Sequence, residues 1–217
     1  MMDTKTEKKA DKKTEKSTRY GMVIDLKRCV GCNSCVIACK VENFTPPGVF
    51  FTRVLTKEDG EYPNVRKEFW PILCNQCADP MCVKACPTGA TFQREDGIVT
   101  IDFDKCMGCR YCMMACPYRV RFFFSRQETY FDAGPIAYEM LGKELEDYQT
   151  GTVMKCDFCL HRIEQGLEPA CVRACITKAR TFGDLSDPES EVSKLFFEII
   201  DRFEEEIKKR ASGSQRT

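Results

Sequence analysis

Four groups of four cysteines, at fixed short spacings, constrain this chain more than any other feature. They are Cys29-x2-Cys32-x2-Cys35-x3-Cys39, Cys74-x2-Cys77-x4-Cys82-x3-Cys86, Cys106-x2-Cys109-x2-Cys112-x3-Cys116 and Cys156-x2-Cys159-x11-Cys171-x3-Cys175. Together they hold all 16 cysteines of the 217 residues. The third group, with Pro117 behind it, reproduces the bacterial ferredoxin run that binds [4Fe–4S] cubanes. Sixteen thiolates at four per cubane make room for four clusters.

The spacing has a physical reason. Three cysteines three residues apart let one tight loop hold three irons of a cube, with loop N–H groups facing the cluster sulfurs. The fourth cysteine comes where a helix has begun to lead the chain away, so it binds a neighbouring cluster. Four groups therefore imply two reciprocal pairs, and chain order allows either nearest-neighbour or nested pairing. Gly31, Asn33 and Ser34 in the first loop and Gly108 in the third suit a close wrap. With four protein thiolates on every cluster no iron is open to substrate, so the design suits one-electron transfer and not catalysis.

Two other uses of cysteine fit less well. Disulfides need an oxidising compartment and do not explain repeated C-x2-C pairs. Structural zinc uses two separated pairs per ion, not three cysteines in one short loop. The sequence carries no glycine-rich nucleotide loop and no recognisable nucleophile motif. Lys plus Arg and Asp plus Glu are both 33, which gives no argument for nucleic-acid binding. No run reaches the roughly 18 apolar residues of a membrane span. The Lys- and Glu-rich residues 1–19, with seven basic and four acidic side chains, read as a disordered charged tail and not a secretory signal. Apolar residues make up 43% of the chain, but that count includes the cysteines, so bound metal is expected to replace part of the core.

The apolar stretch Tyr20 to Asp25 reads as a strand leading into the first group, and Val36 to Val41 as a short helix leaving it. Phe50–Thr56 and Val65–Ile72 read as paired strands around an Asp59-Gly60 turn. Ala90–Arg94 and Ile98–Ile101 read as a hairpin around Asp96-Gly97. Residues 136–148 have helical spacing. Asp187 reads as an N-cap with Pro188 at the first helical position. The helix after it carries Val192, Leu195, Phe196, Ile199, Ile200, Phe203 and Ile207 on one face, a stripe expected to pack on its own domain. Lys84, Lys105, Arg110 and Lys155 are expected to offset cluster charge, Trp70 to shield a cluster, and His161 to play a structural or surface role.

The spacing set, above all the x4 gap in the second group and the x11 gap in the fourth, resembles the four-cluster iron–sulfur subunit of the dimethyl sulfoxide reductase family of molybdopterin enzymes. Tyr20–Asp25, Cys86-Pro87-Thr88-Gly89-Ala90, Ala115-Cys116-Pro117-Tyr118 and Gly183-Asp184-Leu185 resemble family stretches as well. The resemblance implies nesting. Cys29, Cys32, Cys35 and Cys175 would hold one cluster and Cys39, Cys156, Cys159 and Cys171 its neighbour. Cys74, Cys77, Cys82 and Cys116 would hold a third, and Cys86, Cys106, Cys109 and Cys112 a fourth.

The implied fold is α+β, with two ferredoxin-like halves, one inserted in the other. Residues 20–51 and 150–185 form the outer half and 52–149 the inner half with its connecting segment, followed by a C-terminal amphipathic helix over 186–210. The family's membrane-anchoring C-terminal helix, present in some formate dehydrogenase members, is not seen. The implied function is that of an electron-transfer subunit, non-catalytic on its own, between a molybdopterin-containing catalytic subunit and an integral membrane quinone-binding subunit. It would be peripheral on a membrane-bound complex, either exported with a partner or cytoplasmic. A free polyferredoxin, a hydrogenase or formate dehydrogenase subunit and, more remotely, a structural zinc protein are the alternatives.

Overall fold

The computed structural model describes residues 18–125, 129–131, 134 and 149–213. The helix expected over 136–148 and residues 1–17 of the expected tail lie outside these.

The first strand, β1 (Tyr20–Ile24), precedes the first cysteine group and pairs antiparallel with β8 (Arg180–Asp184), which follows the fourth. Tyr20 stands opposite Asp184 and Ile24 opposite Arg180. The Tyr20 ring stacks on Phe182, and Phe158 meets the Phe182 ring edge-on. The two ends of the cysteine-bearing region are thus joined. Arg19, assigned to the tail, is part of this junction. It donates its backbone N–H to Asp184 at 2.8 Å and accepts from the N–H of Leu185 at 2.7 Å.

Between the second and third groups lies the expected hairpin, β4 (Thr91–Gln93) with β5 (Val99–Ile101). Its turn closes as Asp-Gly chemistry requires: the Asp96 carboxylate accepts from the N–H of Ile98 at 3.0 Å and Gly97 has φ 82°. The longer hairpin, β2 (Arg53–Asp59) with β3 (Arg66–Ile72), is also present, but its connection runs from Gly60 to Val65 and is no tight turn. Phe51 and Thr52, read as strand, are buried just ahead of it. A further pair, β6 (Arg121–Phe123) with β7 (Val153–Lys155), ties the exit of the third group to the approach to the fourth. No periodicity announced it, because both strands are three residues long.

The helices follow the cysteine spacing. In α1 (Ser34–Glu42), α2 (Met81–Lys84), α3 (Tyr111–Met114) and α5 (Ala170–Arg173), the third cysteine of each group lies on a helical turn that ends at or near the fourth. The x3 gap is one such turn. α4 (Leu160–Ile163) occupies part of the x11 gap.

The last helix, α6 (Glu191–Gly213), starts later than the sequence suggested. Ser190 is its cap, since its hydroxyl accepts from the N–H of Ser193 at 3.2 Å. Asp187 instead accepts from Glu189 in the preceding turn. The stripe expected to pack on its own domain does so only at its start. Val192 is buried where the helix meets β8 and β1, with Ser193 beside it, whereas Phe196, Phe203 and Ile207 of the stripe are exposed.

Cysteines are core residues here. Cys39 and Cys156 belong to a cluster with Val49, Phe51, Leu73, Ile98, Phe124, Met154 and Phe158. Cys35 and Cys171 share a second one with Val36 and Val172.

Candidate iron–sulfur sites

All four cysteine loops use the same backbone device. The residue just before the second cysteine has positive φ: Gly31 at 69°, Gln76 at 44°, Gly108 at 69° and Phe158 at 65°. This turn is what lets a loop curl its N–H groups inward. Glycine adopts it freely, whereas for another residue it costs about 1–2 kcal/mol. Gln76 and Phe158 are both 3% exposed and held by their surroundings. The Gln76 amide donates to the carbonyl of Cys156 and accepts from the N–H of Val99. Phe158 is packed against Phe182.

The fold brings together cysteines that are far apart in the chain. Cys35 lies in the field of Cys29 and Cys175, and a small space is lined by Cys29, Cys32, Cys35 and Cys175. Cys39 lies close to Cys159 and Cys171, and Cys156 to Cys39, Cys171 and Cys159. Cys77 has Cys74, Cys82 and Cys116 for neighbours. Cys112 has Cys86 and Cys106. Among the described residues no three His, Cys, Asp or Glu side chains close round a point to form a single-ion site.

Burial decides the acidity of most of these thiols. It pushes Cys39 and Cys156 well up and Cys159 up to about 12, and it raises Cys171, Cys35, Cys112 and Cys77. Iron binds the thiolate, so occupation of such sites must expel protons, and metal binding and folding are coupled. Cys86 and Cys175 go the other way. Burial opposes their ionisation, but N–H groups of Thr91 and Ala179 at 3.3 and 3.2 Å, with the hydroxyls of Thr88 and Thr177, outweigh it. Cys32 is lowered chiefly by the Ser34 hydroxyl.

Charge is placed differently from the sequence expectation. Lys84 and Lys105 are exposed and pair with Asp79 and Asp102, both at 2.6 Å, so their charge is taken up by carboxylates. The Arg110 guanidinium lies 3.7 Å from the centre of the Phe123 ring. Only Lys155 of the four is buried, its ammonium donating to the carbonyls of Val99 and Cys156. Sequence reasoning missed three residues that matter more. Arg180 donates to Cys35 Sγ at 3.4 Å, and Cys112 lies in the field of Arg121. Asn43 donates towards the sulfurs of Cys39 and Cys159, at 3.5 and 3.6 Å. The arginines had a signal, the repeated Cys-x4-Arg after the third and fourth groups; Asn43 had none.

Other assignments divide. His161 bonds Glu42 at 2.9 Å at the surface, as expected of it. Trp70 is 45% exposed, and its neighbour Phe69 covers the first loop, with its ring against Gly31. Arg121 Nη2 is buried without a partner. That orphaned donor, the N–H groups aimed at sulfur and the thiolate-only donor set fit an iron–sulfur group.

Residues 65–132 and 138–185 match the 4Fe-4S dicluster domain, and residues 22–45 a 4Fe-4S binding domain. A selenate reductase subunit of Mesobacillus selenatarsenatis is 45% identical over 198 residues, covering 87% of this chain and 68% of its own length. The chain belongs to the iron–sulfur subunits of the dimethyl sulfoxide reductase family. Other members are similarly close. A protein of Halobacterium salinarum described as a dimethyl sulfoxide reductase iron-sulfur subunit is 46% identical, over 83% of this chain and 72% of its own. The arsenate respiratory reductase iron-sulfur subunit of Shewanella is 40% identical, over 82% and 86%. Subunits of this family are non-catalytic electron-transfer subunits of reductase complexes. Among the described residues no helix is long and apolar enough to cross a membrane.

Proposed function

We propose that this chain relays electrons through four [4Fe–4S] clusters between a molybdopterin-containing catalytic subunit and a quinone-linked integral membrane subunit. The reading is carried by one observation: fourth cysteines meet the loops of other groups. Cys175 lies by Cys29 and Cys35, Cys39 by Cys159 and Cys171, Cys116 by Cys77, and Cys86 by Cys112.

The ligand sets are then Cys29, Cys32, Cys35 and Cys175; Cys39, Cys156, Cys159 and Cys171; Cys74, Cys77, Cys82 and Cys116; and Cys86, Cys106, Cys109 and Cys112. When bound, the clusters supply reversible one-electron chemistry. The protein holds them, keeps water from the buried thiolates and spaces them. A C-x3-C turn advances about 6 Å, so the sets of each half stay close. The outer half comprises residues 20–51 and 150–185, and the inner half 52–149. Pairing of β1 with β8 around the outside supports that nesting. The exposed apolar residues of α6 (Glu191–Gly213) support a peripheral position on a complex that reaches the membrane through another subunit.

Native purification tests this. The expected result is a complex containing a molybdopterin subunit, with about sixteen irons in this chain, four per cubane. A chain that purifies natively alone, or holds zinc in place of iron, overturns it.

A further inference from the structure

Two guanidinium groups lie inside the protein in equivalent places. Arg180 and Arg121 are each 4% exposed. Each stands five residues after a fourth cysteine, Cys175 and Cys116, and each opens a strand, β8 and β6. Each donates to a buried threonine hydroxyl, Arg180 to Thr52 at 2.9 Å and Arg121 to Thr91 at 3.2 Å. Each also meets the third cysteine of a group, Arg180 at Cys35 and Arg121 at Cys112.

A buried cation without a counter-charge costs several kcal/mol. Among the described residues neither arginine forms an ion pair with a carboxylate, and Arg121 Nη2 has no partner at all. The balancing negative charge must come from the thiolates and the group they hold. Arg180 lies in the field of Cys171 as well as Cys35, so it stands between both ligand sets of the outer half. The positions five residues after the other two fourth cysteines are Phe44 and Thr91, so neither carries an arginine there.

We propose that Arg180 and Arg121 set the reduction potentials of the clusters beside them, Arg180 in the outer half and Arg121 in the inner half. The proposal rests on the ligand sets given above. A fixed positive charge and hydrogen bonds to sulfur both favour the form that carries one more electron. The guanidinium keeps its proton throughout, so the electron arrives from the redox partner and no proton moves at these residues.

The test is a redox titration of the holo-complex followed by paramagnetic spectra, with iron counted in each variant. Arg180→Gln is expected to lower the potential of an outer-half cluster by about 59 mV or more, a tenfold change in the oxidised-to-reduced ratio for one electron, leaving the inner half unmoved. Arg121→Gln is expected to do the reverse, and the Lys variants to retain most of the potential. Unchanged potentials at full iron content overturn the proposal while leaving the ligand sets intact. A wild-type complex with fewer than four clusters overturns the ligand sets instead. Should the Gln variants fail to assemble, the wild-type complex labelled with 15N-arginine still decides the matter. Hyperfine coupling of guanidinium nitrogen to a reduced cluster is expected, and its absence overturns the proposal.

Discussion

The side-chain amide of Gln76 donates to the backbone carbonyl of Cys156 at 2.8 Å, linking the second cysteine loop to the fourth. The same side chain accepts from Val99 on β5 at 2.9 Å, and the Gln76 carbonyl accepts from Arg19 at 3.2 Å. One buried residue therefore ties together the loop of the second group, the inner hairpin, the first of the fourth group's cysteines and the residue that leads into β1. Gln76→Leu leaves the Val99 N–H unsatisfied, at about 1–3 kcal/mol, and takes from the Cys156 carbonyl one of its two donors, Lys155 being the other. The holo-protein is expected to lose its cluster absorbance at a clearly lower denaturant concentration. An unchanged midpoint refutes the role.

Single Cys→Ser variants distinguish nested from nearest-neighbour pairing. If Cys39 and Cys171 hold one cluster, Cys39→Ser and Cys171→Ser remove the same paramagnetic signal, and the double variant removes no more. Cys39→Ser combined with Cys86→Ser removes two signals. Iron analysis is expected to fall by about four per lost cubane. Under nearest-neighbour pairing Cys39 would instead share a signal with Cys74 or Cys77.

What was legible in the sequence was what covalent spacing dictates. Cys-x2-Cys loops, the Asp96-Gly97 hairpin and the cysteine count all follow from short-range geometry. Residues whose role depends on distant partners were not legible. Trp70 is as apolar as Phe69, but strand alternation turns Trp70 outward and puts Phe69 over Gly31. Lys84 and Lys105 are near cysteines in the chain, yet an aspartate nearby takes each charge. Arg180 reaches Cys35 across 145 positions, a contact that only the pairing of β1 with β8 creates. The exposed stripe of α6 shows the same limit: amphipathicity signals a face to be covered, not which chain covers it.

The two glycine loops differ in tolerance. Both glycines have φ 69°, but a Cβ at Gly108 would run into the backbone carbonyl of Gly151, which cannot swing away. A Cβ at Gly31 would meet the Phe69 ring, a side chain. Gly108→Ala is expected to abolish assembly of the third loop's cluster. Gly31→Ala is expected to weaken the first loop's, with Phe69→Ala partly restoring it by making room. Iron content and cluster absorbance read both. Equal damage from the two alanines, or no rescue, contradicts this account.

Glu42 on α1 binds two side chains of α4, His161 at 2.9 Å and Arg162 at 3.0 Å, clamping the helix after the first group to the fourth. Burial works against its charge, but the bonds from His161 and Arg162 outweigh this and hold its carboxyl below the ordinary 4.5. A depressed carboxylate stabilises the fold fully above its unfolded pKa and loses that contribution as pH falls through the folded one. At pH 7, Glu42→Gln is therefore expected to destabilise the holo-protein by about 1 kcal/mol, a modest figure because the pair is partly solvated. The gap between wild type and variant is expected to be present above pH 4.5 and to close as pH falls through the lowered folded pKa of Glu42. Denaturant midpoints at a series of pH values, read from cluster absorbance, measure it. A gap that stays open in acid strong enough to protonate the carboxyl would show that the clamp does not depend on the Glu42 charge.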